Sequence, residues 1–186
     1  MLRRTPDGLR LVQKPVTELK KLRLPSVLRF RGGTFAAAAR WLVAHNDLPR
    51  LLDVEMSFSR VTGKDPFTVN LQTASGEHTS LTFDPTHSRL VLDRTHSGQT
   101  GFNRNFSTRH EAPLRITNGD VALRLLLDAS SIEILAQEGE TSVTELIFPT
   151  TGPRAFTLTS EGTTPKVTAI TIHALAAATQ PSRPER

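Results

Sequence analysis

The sequence predicts an all-β protein, an antiparallel two-sheet β-sandwich of the jelly-roll or lectin-like kind, entered through a short linker helix. Three observations carry this. Strand-length runs alternate apolar and polar residues at a period of two, and turn residues separate the runs at short intervals. The third observation is negative: past the first thirty residues there is almost no helical periodicity. The 186 residues suffice for one well-buried core and sit at the upper end for a single sandwich.

Taken in order, residues 1–30 read as a linker. Leu9 to Val12 is a short extended piece. Thr17 to Arg23 then places Leu19 and Leu22 at i,i+3, one apolar edge of a short helix that Pro25 ends. Residues 31–175 form the sandwich. Its first stretch, 34–44, is ambiguous: the alanine run favours helix by propensity, while Gly32-Gly33 and Asn46-Asp47 equally bound a strand, and the β character of everything downstream tips the reading to a strand. Leu52, Val54, Met56 and Phe58 then alternate with Asp53, Glu55 and Ser57, and Phe67, Val69 and Leu71 repeat the pattern after a hairpin turn at 62–66. Leu81 to Phe83 and Leu90 to Leu92 follow the turns Ser75-Gly76 and Asp84-Pro85. Leu123 to Pro149 packs three alternating runs and two turn signals into one block, an antiparallel meander. Ala155 to Leu158 and Val167 to Ala174 complete the strands, and residues 176–186, with two prolines and no apolar pattern, read as a frayed tail. The one break in rhythm is Asp93 to Pro113, about twenty residues of polar chain anchored by Phe102 and Phe106, a length uncommon for a loop in a compact domain.

Composition excludes several chemistries. With no cysteine there is no disulfide, thiol catalysis or thiolate metal site. The net charge of +5 comes from 18 Arg and 5 Lys scattered among acids, with no Tyr and one Trp. Nucleic-acid binding asks for a basic stripe with stacking aromatics, so no nucleic-acid partner is expected. No apolar run approaches the roughly 20 residues that span a bilayer, so no membrane partner is expected either. Arg3 and Arg4 are followed by Pro6, Asp7 and Gly8 rather than an apolar segment, so the chain as given reads as carrying no export signal, and its compartment stays open. The six histidines have no close spacing suited to zinc, and neither a metal nor another cofactor is expected.

Three motifs line up in order with one family. Leu11-Val12-Gln13-Lys14-Pro15-Val16, with Glu18-Leu19 and Leu22-Arg23, resembles the linker of glycoside hydrolase family 32, which contains invertases, levanases and inulinases. Leu92-Asp93-Arg94-Thr95-His96-Ser97-Gly98 is similar to its Asp-Arg-x-x-Ser-Gly loop. Leu125 to Asp128, Ser130-Ser131-Ile132-Glu133-Ile134 and Thr144 to Pro149 resemble its Asp-x-Ser-Ser-hydrophobic-Glu-hydrophobic meander. The resemblance covers the carboxyl-terminal sandwich of that family. Its catalytic carboxylates belong to an amino-terminal β-propeller, in Trp-x-Asn-Asp-Pro-type, Arg-Asp-Pro and Glu-Cys motifs that have no counterpart here.

The resemblance therefore implies an accessory module of a β-fructosidase cleaving sucrose, levan or inulin. Its partner would be a catalytic propeller in cis or in trans, and a homo-oligomer is a further option. In the trans case Leu19 and Leu22 would be exposed until the propeller docks. The alternative is a stand-alone fructan-binding module. No catalytic residue is assigned. Asp128 and Glu133 look like an acid/base pair around the Ser130-Ser131 bend, but a turn-capping Asp and a strand-face Glu explain them better. Contact candidates for carbohydrate or a neighbouring domain are Trp41, Asp93, Arg94, His96 and Arg104. Against that stand an Asp–Arg pair that merely pins the loop and a Trp buried in core or interface.

Overall fold

The computed structural model describes residues 1–5, 8–62 and 64–177. Two antiparallel sheets face each other. The larger runs β12–β11–β10–β5–β14–β3, with the short β4 (Gly33–Thr34) also on β14 (Lys166–Leu175). Its other members are β3 (Arg23–Phe30), β5 (Leu52–Ser59), β10 (Val121–Leu127), β11 (Ser131–Ala136) and β12 (Thr141–Leu146). The smaller runs β13–β6–β7–β8–β9, from β13 (Arg154–Ser160), β6 (Phe67–Thr73), β7 (His78–Asp84), β8 (Arg89–His96) and β9 (Arg109–Pro113). A separate hairpin pairs β1 (Leu2–Thr5) with β2 (Gly8–Leu11).

The period-two pattern sets which face each strand buries. Leu52, Val54, Met56 and Phe58 of β5, with Leu123 and Leu125 of β10 and Ile170 and Ile172 of β14, point at Phe67, Val69, Phe83, Leu92 and Phe156 of the other sheet. Phe67 stacks on Phe83 at 4.6 Å and lies 4.9 Å from Phe58, adding about 0.5–1.5 kcal/mol per ring pair beyond area burial. The block from Leu123 to Pro149 is the expected meander, β10–β11–β12, three adjacent strands.

Four expectations change. The stretch 34–44 is a helix, α1 (Phe35–Val43). Thr34 caps it by accepting the Ala37 amide at 3.2 Å, and Phe35, Ala38 and Leu42, spaced for one helical face, bury against the core. Residues 23–30, read as linker, are an edge strand: the helix is one 3-10 segment, Thr17–Leu22, and Leu28 and Phe30 pair with Ile172 and Ile170. Pro25 is tolerated because an edge strand has one row of amides without a neighbour. The segment between β5 and β6 is no hairpin turn, since those strands lie in different sheets. Finally, β8 and β9 absorb both ends of the long polar stretch and leave residues 97–108 as the loop. The expected tail lies almost wholly outside the described residues.

The linker is strapped along the outer face of the larger sheet. Val12 is buried, Gln13 N donates to Gly139 O at 3.0 Å, and a Cβ on Gly139 would fall 1.7 Å from Gln13 O. Leu19 and Leu22 are half-buried and line an open hollow with Leu51, Leu126 and Leu175 of the sandwich itself. Among the described residues no helix is long and apolar enough to cross a membrane.

Gly98 plays the same part for the loop. Its φ of 112° suits glycine, and an added Cβ would lie 1.9 Å from Phe148 O, where Gln99 N also donates at 2.9 Å. Gly98→Ala is expected to cost at least about 2 kcal/mol in urea unfolding, from backbone strain and a forced loop shift. An unchanged midpoint would mean the loop is not seated on Phe148.

Candidate functional site

Strand β8 sends Asp93 and Arg94 to opposite faces, so they do not pair with each other. Asp93 accepts from Thr95 N at 2.9 Å, Thr95 Oγ1 at 2.6 Å and Arg109 Nε at 2.6 Å. Burial alone would raise its carboxyl; these hydrogen bonds and the Arg109 charge outweigh that and hold it below the ordinary value. Arg94 follows Leu90 and Leu92 inward. Its guanidinium lies 4.1 Å over the Phe106 ring, Nη1 donates to Leu146 O at 3.0 Å, and Glu145 Oε2 is 3.2 Å away. Each residue fastens the loop, through a different partner.

The other candidates scatter. His96 is exposed and stacks on His78 across β7 and β8, centroids 5.0 Å apart and planes 9° from parallel. Arg104 is exposed in the loop, two residues beyond Phe102, which is 64% exposed and held 4.6 Å from Phe106 and 5.6 Å from Phe148. Trp41 sits on α1, half-buried, with Phe30 at 5.8 Å and His45 at 4.4 Å as its ring partners. The structure thus gathers Asp93, Arg94 and His96 on one strand and leaves Trp41 on another element. Asp128 Oδ1 accepts the Ala129 amide at 2.6 Å and Asp128 N donates to Ser131 O at 3.0 Å, a turn assignment. Glu133 is exposed on β11, and both carboxyls border the leucine-walled hollow beneath Leu19 and Leu22.

The strongest electrostatic feature was not among the expected residues. Asp53 lies on the outward face of β5 and is nevertheless 0% exposed. Arg124 grips it as a fork, Nε to Oδ1 and Nη2 to Oδ2, both 2.8 Å. Arg23 Nε donates to Oδ2 at 2.8 Å, while Arg23 Nη2 reaches Glu55 Oε1 at 2.7 Å. Burial would raise the Asp53 carboxyl, but hydrogen bonds from Arg124 and Arg23 more than reverse this and hold it below the usual range. His173, opposite Asp53 in the register, lies with Nε2 3.3 Å from Arg23 Nη1. Burial and then the Arg23 charge push its imidazole below the ordinary value. Beside this clamp the linker and sheet enclose a groove of about 440 Å³, bordered by Lys14, Lys20, Glu55, Arg124 and Leu135. Among the described residues no cluster of three His, Asp or Glu side chains could hold a metal ion.

The sequence profile described as "Glycosyl hydrolases family 32 C terminal" matches residues 36–174. The chain belongs to this family. As a family 32 C-terminal domain it is 30% identical over 181 residues to a levanase of a Bacillus species, covering 94% of this chain and 19% of that protein. It is 30% identical over 171 residues to the levanase of Bacillus subtilis, covering 91% of this chain and 25% of the relative. Among solved structures, exo-inulinase from Aspergillus awamori superposes with a TM-score of 0.75 at 25% identity, covering 94% of this chain and 34% of that one. The chain therefore spans about a fifth to a quarter of the length of the curated relatives it matches. In those larger enzymes it corresponds to the C-terminal part.

In this family 32 domain the Asp53 clamp joins β3, β5 and β10, and with every carboxylate oxygen taken and no exposure it is unsuited to act as acid, base or nucleophile. Asp53→Asn leaves two guanidinium groups short of their partner and is expected to cost about 3–5 kcal/mol at neutral pH. Because the folded pKa lies below the unfolded one, the clamp's contribution is complete above the ordinary value of 3.8 and is lost as pH falls through the folded value. Urea unfolding of both proteins across the acid range should show the gap closing on acidification. A gap independent of pH would contradict the clamp.

Proposed function

We propose that this chain is the accessory C-terminal β-sandwich module of a β-fructosidase acting on sucrose, levan or inulin, without catalytic activity of its own, and that it stabilises the catalytic domain of that enzyme. The observation that carries the reading is the β1–β2 hairpin. Its register places Leu2 opposite Leu11 and Arg4 opposite Leu9, so the three leucines share one face. They are 67%, 67% and 65% exposed. The opposite face carries Arg3, which turns inward to Glu138, Glu140 and the Gln137 carbonyl. A hairpin that turns Arg3 onto its own domain and presents three leucines, with Arg4 beside them, toward solvent is built to be covered from outside. Two strands alone are marginal in water, and each leucine buried contributes about 1.5–3 kcal/mol. The relatives supply the kind of cover: a larger enzyme of which this domain is one part.

The disposition of the carboxylates singled out in the sequence and of Asp53 supports a non-catalytic role. Retaining glycoside hydrolysis needs two carboxyls about 5–5.5 Å apart around a sugar pocket. Asp53 is saturated, Asp128 serves its own turn and Glu133 faces a leucine-walled hollow. A second reading, a fructan-binding module, is favoured by Phe102 alone, an exposed ring held rigid by two others.

The purified chain should release no fructose from sucrose, levan or inulin; turnover would overturn the reading. For the stabilising role, the chain can replace the corresponding segment of the Bacillus subtilis levanase. Leu9→Asp with Leu11→Asp in that chimaera should shorten the thermal half-life of levan hydrolysis several-fold without altering initial activity, and an unchanged half-life would count against docking through the hairpin. The second reading is tested by migration in levan and inulin gels: retardation that Phe102→Ala abolishes supports it, and free migration removes it.

A further inference from the structure

We infer that Ser97 and Arg154 together hold one internal water molecule, which ties the start of the 97–108 loop to strand β13 and the Asp128–Ala129 turn. Arg154 is 1% exposed and has no carboxylate within ion-pair distance among the described residues. Its Nη2 donates to Asp128 O at 3.0 Å and Ala129 O at 3.2 Å, whereas Nη1 has no protein acceptor. Ser97 is also 1% exposed, and its hydroxyl has no protein partner. A buried guanidinium N–H without an acceptor costs more than a neutral donor in the same position, so an acceptor at this point is strongly favoured.

Ser97 and Arg154 both line one small hollow, with Leu71, Thr79, Ile147 and Pro149 among its other walls. It has about 10 Å³ of room for a water-sized sphere, which matches the space of one water and no more. A single water there accepts from Arg154 Nη1 and bonds Ser97 Oγ. Glu77 also lines this hollow, its carboxylate accepting from Thr73 Oγ1 at 3.2 Å and from Thr150 N and Oγ1 at 2.8 and 2.9 Å. That carboxylate also disfavours an anion such as chloride in the same place, although a guanidinium without an ion-pair partner would otherwise attract one. Three segments meet at this point. Ser97 N donates to Arg94 O at 3.2 Å, closing the turn that presents the hydroxyl, and Gly98 then seats the loop on Phe148. Ser97 is thus a positioning residue, acting through the water on a strand more than fifty positions away.

The test is a high-resolution crystal structure of the chain, of Ser97→Val, and of a bromide-soaked crystal. In the native crystal, one density peak should lie within about 3.2 Å of both Arg154 Nη1 and Ser97 Oγ. Ser97→Val, which fills the hollow with a methyl group, should abolish the peak, and bromide should give no anomalous signal there. Ser97→Ala keeps the hollow open and guards against a folding failure of the larger variant; its water should remain bonded to Arg154 but lose order. An empty hollow, a direct bond from Arg154 Nη1 to a protein acceptor, or a bromide peak at the site would each overturn the inference.

Discussion

A sandwich buries one face of each sheet and leaves the other face to be dealt with, and most of what is distinctive in this domain answers that constraint on its larger sheet. The inner faces are filled by the period-two leucines, valines and phenylalanines. The outer face is left with Asp53, Glu55, Arg124, Leu126, Glu133 and Leu135, a mixture that neither water nor a hydrophobic core accommodates well. Its solution has two parts. Arg23 and Arg124 neutralise the buried Asp53, and the 3-10 segment brings Leu19 and Leu22 to the same hollow as Leu126. A buried ion pair is weak evidence for net stability against an apolar replacement, but removing one partner is costly. The clamp therefore fixes where the linker runs more than it adds to the total.

The hairpin is the consequence. With the linker fixed by Gly139 and the clamp, β1 and β2 emerge at one edge of the sandwich, tethered by Arg3 to Glu138 and Glu140. Nothing in the described residues covers Leu2, Leu9 or Leu11. The Asp-Arg-x-x-Ser-Gly loop tells a similar story on the other sheet. Asp93, Arg94, Ser97 and Gly98, which look like chemistry in a string of letters, serve as fasteners: an Asx-type turn, a guanidinium on a ring, a buried hydroxyl and a close backbone approach.

The strands of the core were legible because a half-buried strand writes its burial directly into the sequence. The larger sheet's β5, β10 and β11 and the smaller sheet's β6 to β8 all show it. Helix α1 carries its signals in the Thr34 cap and the Phe35, Ala38, Leu42 spacing, but a nine-residue helix flanked by strands competes with the β character of its neighbours. Strand β3 leaves little mark on the sequence because it contributes only Leu28 and Phe30 to the core and carries a proline. The Asp53 clamp was not readable at all, since its arginines lie 30 and 71 positions away and polar residues on an outward strand face are the rule. His78 and His96, Arg94 and Glu145, and Ser97 and Arg154 likewise meet only through the fold.

What unites these features is a domain whose outer sheet face is crossed by its own linker and whose hairpin presents a leucine face to solvent. Amide hydrogen exchange of residues 2–11 reports on that difference directly. It can be followed in the chain alone and in the same chain fused behind the N-terminal domain of the Bacillus subtilis levanase. The expected result is fast exchange of hairpin amides in the isolated chain and strong protection in the fusion, with the sandwich strands unchanged between the two. Equal exchange of the hairpin in both proteins would contradict a docking role for this domain.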